Sequence, residues 1–245
     1  MYDADSNEKL IACVDRLSKA GCKGLLISGG SNAEGMVPLM PCMEGIAYAK
    51  KKGLTITVHT GIVDRETAFA LKAADVDRIL FDVIGSEKTI KNVYGINKTP
   101  GDFIRAMRYC KEAGLCLAPH LVVGLDFGKV EGEYEAIEMV REIEPEYFVL
   151  VVLSPKRGTG MQNIKPPPLG DVQKVFSRAA ETLENSRISL GCVRPFEYSV
   201  DLEKTAVDLG FDAVAYPHAE TIQYAMRLGL ETSFFEECCC IQPVS

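Results

Sequence analysis

The amino-acid sequence predicts an α/β fold of the (β/α) TIM-barrel type, with seven βα units present and the first strand missing. Short apolar runs alternate with amphipathic helical stripes along the chain, and this alternation predicts a parallel sheet. The repeating unit has the length found in a barrel of eight units and about 250 residues. Polar or glycine residues follow every predicted strand, and a barrel gathers such strand ends at the mouth that forms its active site. Seven polar ends therefore favour a barrel over a doubly wound sheet, although an open sheet would also tolerate seven strands.

The chain opens with a helix, which Asp5 or Ser6 can cap and which ends at Gly21. The run Gly24–Ile27 is then predicted to be a strand buried on both faces, ending at Ser28. The other strands are predicted near 54–59, 78–83, 115–123, 147–153, 187–191 and 211–216. Helices are predicted near 41–52, 65–74, 131–143, 172–183, 200–209 and 219–228, together with a longer helical region that ends at Gly114. We expect these strands to be parallel, in chain order, and open between the last and the first.

Length and composition limit the possible classes of protein. The chain has 245 residues and a net charge of −7, with acidic and basic residues interspersed. This balance argues against a nucleic-acid groove and against a polybasic membrane surface. No apolar stretch could span a bilayer, and the first residues have no signal-peptide character, so we expect a cytoplasmic protein. With no internal linker, the chain is predicted to form one domain over 1–236, followed by a Cys-rich tail over 237–245.

The nine cysteines are numerous for a cytoplasmic protein, in which disulfides are disfavoured. Four isolated ones lie in apolar patterns and are predicted to be small core residues: Cys13, Cys22, Cys110 and Cys116. Cys192 and the run Cys238-Cys239-Cys240 fit that interpretation less well. Two of the tail cysteines, with Cys192 or a histidine, could hold zinc or an iron–sulfur cluster. Alternatively, the tail carries exposed thiols at a frayed terminus.

Polar or glycine residues end the predicted strands and are expected to converge on one mouth: Ser28, His59-Thr60, Asp82, Gly124, Ser154, Cys192, Arg194 and, just past the last strand, His218. His59 and His120 are placed at the presumed mouth, as structural histidines or as substrate contacts. Arg157 and Arg194 lie in strand-end loops, where they could bind a carboxylate or an anionic sulfur cluster, or form surface ion pairs. No local pattern defines a catalytic residue.

Six short motifs carry a family resemblance: Ile27–Ser31, Phe81–Ser86, Val122–Leu125, Pro155–Thr159, Leu190–Pro195 and Glu237–Cys239. Together they resemble the biotin-synthase-like group of radical S-adenosylmethionine (radical SAM) enzymes. The similarity covers nearly the whole chain, and it extends to a Glu-Cys-Cys tail in a branch that includes subunits of a two-protein lipoyl synthase.

The resemblance implies an S-adenosylmethionine site. Ser28, Gly29 and Gly30 match the motif whose backbone holds the methionyl amino group, and Asp82 matches a residue near the ribose. Gly124 and Leu125 match the turn beside the adenine. Each assignment has a plain alternative, since glycines serve ordinary turns and Asp82 could cap a helix.

The resemblance also implies a 4Fe–4S cluster held by a Cys-x-x-x-Cys-x-x-Cys loop after a first strand, but the printed sequence has no such spacing. It begins where that loop would end. We therefore expect either a truncated chain or a paralogue that has discarded radical chemistry, inactive as it stands.

The activity implied is C–H activation on a small-molecule or lipoyl-type substrate, with sulfur insertion into an octanoyl chain to give a lipoyl group as the best guess among the reactions of this transferase group. Two other classes stay open. The chain could be a non-catalytic barrel subunit that partners an active homologue, or a metal-free barrel enzyme acting on a small metabolite. A metal-free enzyme that binds a phosphorylated metabolite should have a glycine-rich phosphate loop after one of the last strands. The corresponding residues here, Gly191–Pro195 and Ala215–His218, are poor in glycine, which argues against this class.

Overall fold

The seven predicted strands are present, in chain order, in one sheet. We analysed a computed structural model, which describes residues 2–235. The strands lie in the order β1 to β7, so that strands adjacent in the sheet are consecutive in the chain. The neighbouring pairs β1–β2, β2–β3, β4–β5, β5–β6 and β6–β7 are parallel. The strands are β1 Gly24–Ile27, β2 Thr55–His59, β3 Arg78–Asp82, β4 Leu117–Val123, β5 Tyr147–Val152, β6 Arg187–Leu190 and β7 Ala213–Val214. A parallel α/β sheet in chain order is confirmed and is consistent with a partial TIM-type barrel.

Each strand is followed by at least one helix, which confirms the predicted alternation. They are α1 Asn7–Lys19, α2 Met43–Lys51, α3 Arg65–Ala73, α4 Glu87–Thr89, α5 Pro100–Glu112, α6 Glu133–Ile143, α7 Leu169–Thr182, α8 Ser199–Asp208 and α9 Ala219–Arg227. The long helical region predicted before Gly114 is not continuous. A π-helical turn over Ile90–Tyr94 ends at Gly95, whose φ of 66° is left-handed, and α5 begins only at Pro100. Left-handed backbone at a glycine is a common way to end a helix.

The chain forms two compact units. The first takes Met1–Phe81 and Gly101–Ala118. In it α1, α2, α3 and most of α5 flank β1, β2 and most of β3, and the buried apolar side chains include Val14, Ile46, Ile56, Leu71 and Met107.

The second unit takes Asp82–Pro100 and Pro119–Ser245. Its central strand is β5, in which all six side chains are buried, as a strand covered on both faces requires. The apolar stripes of α6, α7 and α8 contribute buried Ile137, Phe176 and Leu202. The predicted single domain over 1–236 stays a prediction, and the predicted tail over 237–245 lies outside the described residues.

Two sequence predictions in the first unit are wrong. β1 is not buried on both faces, because Leu26 is 54% exposed and none of the four residues of the strand is fully buried. An apolar run predicts a strand, but it does not show whether other elements cover both faces of that strand. Cys22 is exposed rather than a core residue, since it lies beyond the end of α1; Cys13 and Cys110 are buried, and Cys116 is half-buried. Among the described residues, no helix has the length and apolar character needed to cross a membrane.

Candidate functional site

The loop that follows β1 exposes the predicted methionyl-binding motif. Ser28, Gly29 and Gly30 are all exposed, and a Cβ placed on Gly30 would meet no atom within 4 Å. The loop is anchored just downstream by Asn32, whose Oδ1 accepts hydrogen bonds from the N–H groups of Glu34 and Met36, both at 3.0 Å. The glycine backbone is thus open to a ligand while the rest of the loop is held.

The turn after β2 supplies a second anchor in the same unit. A Cβ on Gly61 would lie 2.2 Å from the carbonyl oxygen of Gly35, so only glycine allows the backbone at 35–36 to approach so closely. Met36 and Gly61 form an antiparallel bridge there. His59, the last residue of β2, is half-buried.

In the second unit, Asp82 is the last residue of β3 and is half-buried. Its Oδ2 accepts a hydrogen bond of 2.5 Å from the hydroxyl of Tyr94, which lies in the π-helical turn. Burial, with the negative charge of Asp82 beside it, raises the pKa of the Tyr94 hydroxyl, so Tyr94 is a neutral donor. The Tyr94 hydroxyl therefore helps to orient the side chain of Asp82.

Gly124 follows β4 and is packed rather than open. Its φ is +82°, and a Cβ at this position would lie 2.6 Å from Cγ of Pro167. Its N–H donates to Oε1 of Glu133 at 2.7 Å. Both the side-chain space and the N–H of Gly124 are taken, so its contribution is to place the half-buried Leu125 that follows it.

Beneath this turn lie two buried carboxylates, Glu133 and Asp126. Burial raises the pKa of Glu133, although the hydrogen bond from Gly124 opposes this, and the charge of Asp126 adds to the increase. Lys88 donates to Oδ2 of Asp126 at 3.1 Å. Oε2 of Glu133 and Oδ1 of Asp126 are buried and have no hydrogen-bond partner within the described part of the chain.

His120 does not end a strand, contrary to its predicted place at the mouth. β4 continues for three more residues after it, and His120 is 8% exposed. Its carbonyl oxygen accepts a hydrogen bond of 2.8 Å from the N–H of Val83, the residue that follows Asp82. The apolar run to Val123 extends the strand beyond the histidine.

The predicted arginines have very different environments. Arg157 is exposed in the loop after β5. The side chain of Arg194 is 6% exposed and forms an ion pair with Glu203 at 2.6 Å. Cys192, between β6 and Arg194, is exposed. The ligand contacts predicted for these residues, as for His59 and His120, stay predictions.

Metal ligands were predicted at Cys192, Cys238, Cys239 and Cys240, of which the last three lie outside the described residues. Within residues 2–235, no group of three or more His, Cys, Asp or Glu side chains could hold a metal ion. The six cysteines of that range form no disulfide. The described residues therefore do not fit a 4Fe–4S cluster, which needs three thiolates or more.

Comparison with curated proteins finds biotin synthases. Those of Geotalea uraniireducens (strain Rf4) and Geotalea daltonii (strain DSM 22248 / JCM 15807 / FRC-32) are 27% and 29% identical over 168 residues. In both matches, the aligned region is 66% of this chain and 50% of the relative. The chain thus spans about half the length of these relatives. No family model matches it. The predicted resemblance to the biotin-synthase-like radical SAM family is confirmed.

Solved structures agree with that resemblance at the level of the fold. Methylornithine synthase has a TM-score of 0.64 at 12% identity, over 93% of this chain and 73% of its own. Coproporphyrinogen III oxidase from Escherichia coli, a radical SAM enzyme, has a TM-score of 0.54 at 14% identity, over 73% of this chain and 44% of its own. The HMG-CoA lyase of Brucella melitensis also matches, with a TM-score of 0.54 at 16% identity, over 94% and 89%. The fold by itself therefore does not distinguish radical SAM enzymes from lyases.

Sequence reasoning missed the residues that hold the candidate groups in place. Tyr94, Glu133, Pro167 and Glu203 were not singled out, although each contacts a predicted site residue. Helical periodicity could not reveal Glu203, because a buried glutamate and an exposed one look alike in a sequence. His218 was noted only as a polar residue past the last strand.

Proposed function

We propose that this chain is the S-adenosylmethionine-binding barrel portion of a radical SAM enzyme related to biotin synthase. The observation that carries the proposal is the match to biotin synthases over 168 residues, on a parallel sheet in chain order. Because the chain covers half of each of these relatives, the activity of the whole protein is part of the proposal.

Two of the three predicted cofactor contacts suit S-adenosylmethionine. The Ser28–Gly30 backbone is exposed and has room beside Gly30, so it can receive an amino group. Asp82, oriented by Tyr94, can accept hydrogen bonds from ribose hydroxyls. Gly124 contributes through packing against Pro167 and the N–H bond to Glu133, leaving Leu125 as the apolar contact for the adenine.

In radical SAM enzymes the cofactor supplies a radical that abstracts hydrogen from an unactivated C–H bond. The described residues do not fit the cluster, so we attribute to this chain only cofactor binding, substrate orientation and exclusion of water. For the substrate, we propose a small molecule or a lipoyl-type chain, with sulfur insertion as the reaction. The exposed Arg157 is then a contact for a substrate carboxylate.

Two alternatives compete with this function. A non-catalytic barrel subunit would keep the cofactor loop and lend a surface to an active homologue. A metal-free barrel enzyme acting on a small metabolite stays open because the fold, which is also similar to that of HMG-CoA lyase over 94% of this chain, does not by itself distinguish the two classes. The biotin synthase matches favour the radical SAM assignment over both.

Binding of radiolabelled S-adenosylmethionine, measured by equilibrium dialysis, tests the proposal. We expect binding, and we expect Asp82→Asn to weaken it about tenfold, because a hydrogen bond to a charged group contributes about 1.5–3 kcal/mol. Asp201→Asn removes an exposed carboxylate in the first turn of α8 and serves as the matched control. Absence of binding, or equal binding by both variants, would contradict the assigned site.

Anaerobic treatment with iron, sulfide and dithionite separates the alternatives. The chain as printed should form no 5′-deoxyadenosine, because its described residues do not fit a 4Fe–4S cluster, and formation of 5′-deoxyadenosine by it would contradict that argument. A chain extended by an upstream Cys-x-x-x-Cys-x-x-Cys segment should turn brown and form 5′-deoxyadenosine if the radical SAM assignment holds. Cofactor binding by the extended chain without 5′-deoxyadenosine would favour the non-catalytic subunit, and the absence of both properties would favour the metal-free enzyme.

A further inference from the structure

Glu203 in α8 is the most completely hydrogen-bonded buried carboxylate of the second unit. Its side chain is fully buried. Oε1 accepts hydrogen bonds from Nε and Nη2 of Arg194, at 3.1 and 2.6 Å, and contacts Nδ1 of His218 at 2.7 Å. Oε2 accepts from the backbone N–H of His218 at 2.9 Å and from the Thr221 hydroxyl at 2.5 Å. The network ties together the ends of β6 and β7 and the start of α9.

The charge at this centre is balanced by Arg194. Burial raises the pKa of Glu203, but hydrogen bonds from Thr221, His218 and Arg194 outweigh it and keep the pKa below its ordinary value. Two further N–H groups of Arg194 donate hydrogen bonds of 2.9 Å to the backbone carbonyl oxygens of Gly191 and Tyr216. Glu203 is therefore an anion at neutral pH, paired with one cation.

An anionic Glu203 determines the tautomer of His218. A carboxylate is an acceptor only, so the 2.7 Å contact requires a proton on Nδ1 of His218. In the neutral imidazole, Nε2 then carries the lone pair. The side chain is 39% exposed, and no described residue bonds to Nε2. The nearest other carboxylate in the first turn of α9, Glu220, is paired with Lys204 at 2.5 Å.

The residue two places before His218 has a strained backbone. Tyr216 has φ of 48°, in the left-handed region that non-glycine residues seldom adopt, and its side chain is 82% exposed. The bond from Nη2 of Arg194 to its carbonyl oxygen helps to hold this conformation. Strained residues that a network keeps in place tend to occur at functional sites.

We propose that the Arg194–Glu203–His218 array presents Nε2 of His218 as the proton acceptor for a hydroxyl, thiol or N–H group of a substrate that packs on the Tyr216 ring. The heteroatom–hydrogen bond of the substrate breaks, its electron pair stays on the heteroatom, and the proton forms an Nε2–H bond. Glu203 stabilises the resulting imidazolium, and Glu203 and Arg194 act as positioning residues. This proton transfer is independent of the proposed cofactor.

The tautomer of His218 tests the proposal without any ligand. The chain has three histidines, so nitrogen-15 NMR of labelled protein gives few signals, and His218→Asn assigns the one of interest. We expect His218 to carry its proton on Nδ1 at neutral pH. Glu203→Gln should shift the signal toward a tautomer mixture, whereas Asp201→Asn on the same helix should leave it unchanged. A proton on Nε2 in the unmodified protein would overturn the proposal, even if Glu203→Gln fails to fold.

Reaction with diethyl pyrocarbonate provides a second readout, because this reagent modifies imidazole nitrogens that carry an accessible lone pair. Peptide mass spectrometry should find that His218 is modified at least tenfold faster than the buried His120. A tenfold difference in rate corresponds to about 1.4 kcal/mol in the activation free energy. Equal rates would contradict an accessible Nε2.

Discussion

Glu203 and Glu133, two buried glutamates in the second unit, have pKa shifts of opposite sign. Both lose hydration, which raises a carboxyl pKa. Glu203 more than recovers this through hydrogen bonds from Thr221, His218 and Arg194. Glu133 has the Gly124 N–H on one oxygen, while its other oxygen has no partner among the described residues. Neighbouring donors, rather than depth of burial, determine the sign of the pKa shift in these two glutamates.

Arg194→Met should lower the free energy of unfolding by about 3 kcal/mol, because it leaves the Glu203 anion buried without its cation. Lys174→Met removes an exposed ion pair with Asp171 and should cost less than about 0.5 kcal/mol. Urea denaturation at neutral pH measures both values. Similar losses in the two variants would show that the buried pair adds nothing specific.

Glu133→Gln should raise the free energy of unfolding at neutral pH by about 1 kcal/mol, because it removes a charge that burial disfavours. The folded-state pKa of Glu133 is raised, so the cost applies above that pKa. It disappears as the pH falls below the ordinary carboxyl value. The advantage of the variant should therefore shrink in acid.

Thermal denaturation from neutral pH down to pH values below the ordinary carboxyl pKa measures the difference in stability between Glu133→Gln and the unmodified protein. Glu135→Gln is the matched control, since Glu135 is exposed in the same first turn of α6 and loses the same interaction with the helix dipole. A Glu133→Gln variant less stable than the control at neutral pH would contradict the argument.

Among the structural elements, the turn after β4 shows most directly how backbone conformation places a candidate residue. Gly124 and Gly158 both have φ of +82°, but only Gly124 is crowded, by Pro167. The two glycines therefore separate the cost of strain from the cost of a clash.

Gly124→Ala should destabilise the protein by about 3 kcal/mol, from 1–2 kcal/mol of left-handed strain and a similar amount of overpacking. Gly158→Ala should cost about 1–2 kcal/mol, since a Cβ there meets nothing within 4 Å. Adding Pro167→Ala to Gly124→Ala should recover part of the difference in a double-mutant cycle. Equal losses in the two single variants would show that Pro167 moves aside freely.

The edge strand β1 provides a second prediction about a single structural element. Leu26→Lys should change stability by less than about 0.5 kcal/mol, because Leu26 is already exposed. Leu150→Ala in β5, where the side chain is fully buried, should cost about 2–5 kcal/mol. Chemical denaturation compares the two, and a large loss in Leu26→Lys would show that β1 is covered.

The positions of the strands could be predicted because each apolar run stops at polar residues, as Tyr147–Val152 does before Ser154. The exposure of β1 could not be predicted, since a run of four apolar residues does not show which elements cover the faces of the strand. Asp82 could be predicted from its place after a strand. The link between Glu203 and His218 could not, because the two residues lie on different elements and only the folded chain brings them within 2.7 Å.

At the scale of the whole molecule, the net charge of −7 is the property with the most direct consequence. An acidic protein gains no counterion release from a polyanion, and its net charge is repelled. We expect no binding to random-sequence DNA or RNA in a mobility-shift assay at low salt, where nonspecific binding is strongest. A shift that disappears as salt rises would reveal a basic surface that the net charge conceals.

The division of the chain between the two units has a consequence for synthesis on the ribosome. The first unit needs Gly101–Ala118, yet Asp82–Pro100 of the second unit is translated before it. At about 5–20 residues per second, Phe81 emerges from the ribosome seconds before Ala118 does. During that interval the N–H of Ile79 in β3 lacks its partner, the carbonyl oxygen of Cys116 at 2.9 Å. A nascent chain stalled within this window exposes an unpaired strand edge, which is the state that chaperones bind and that aggregates form from.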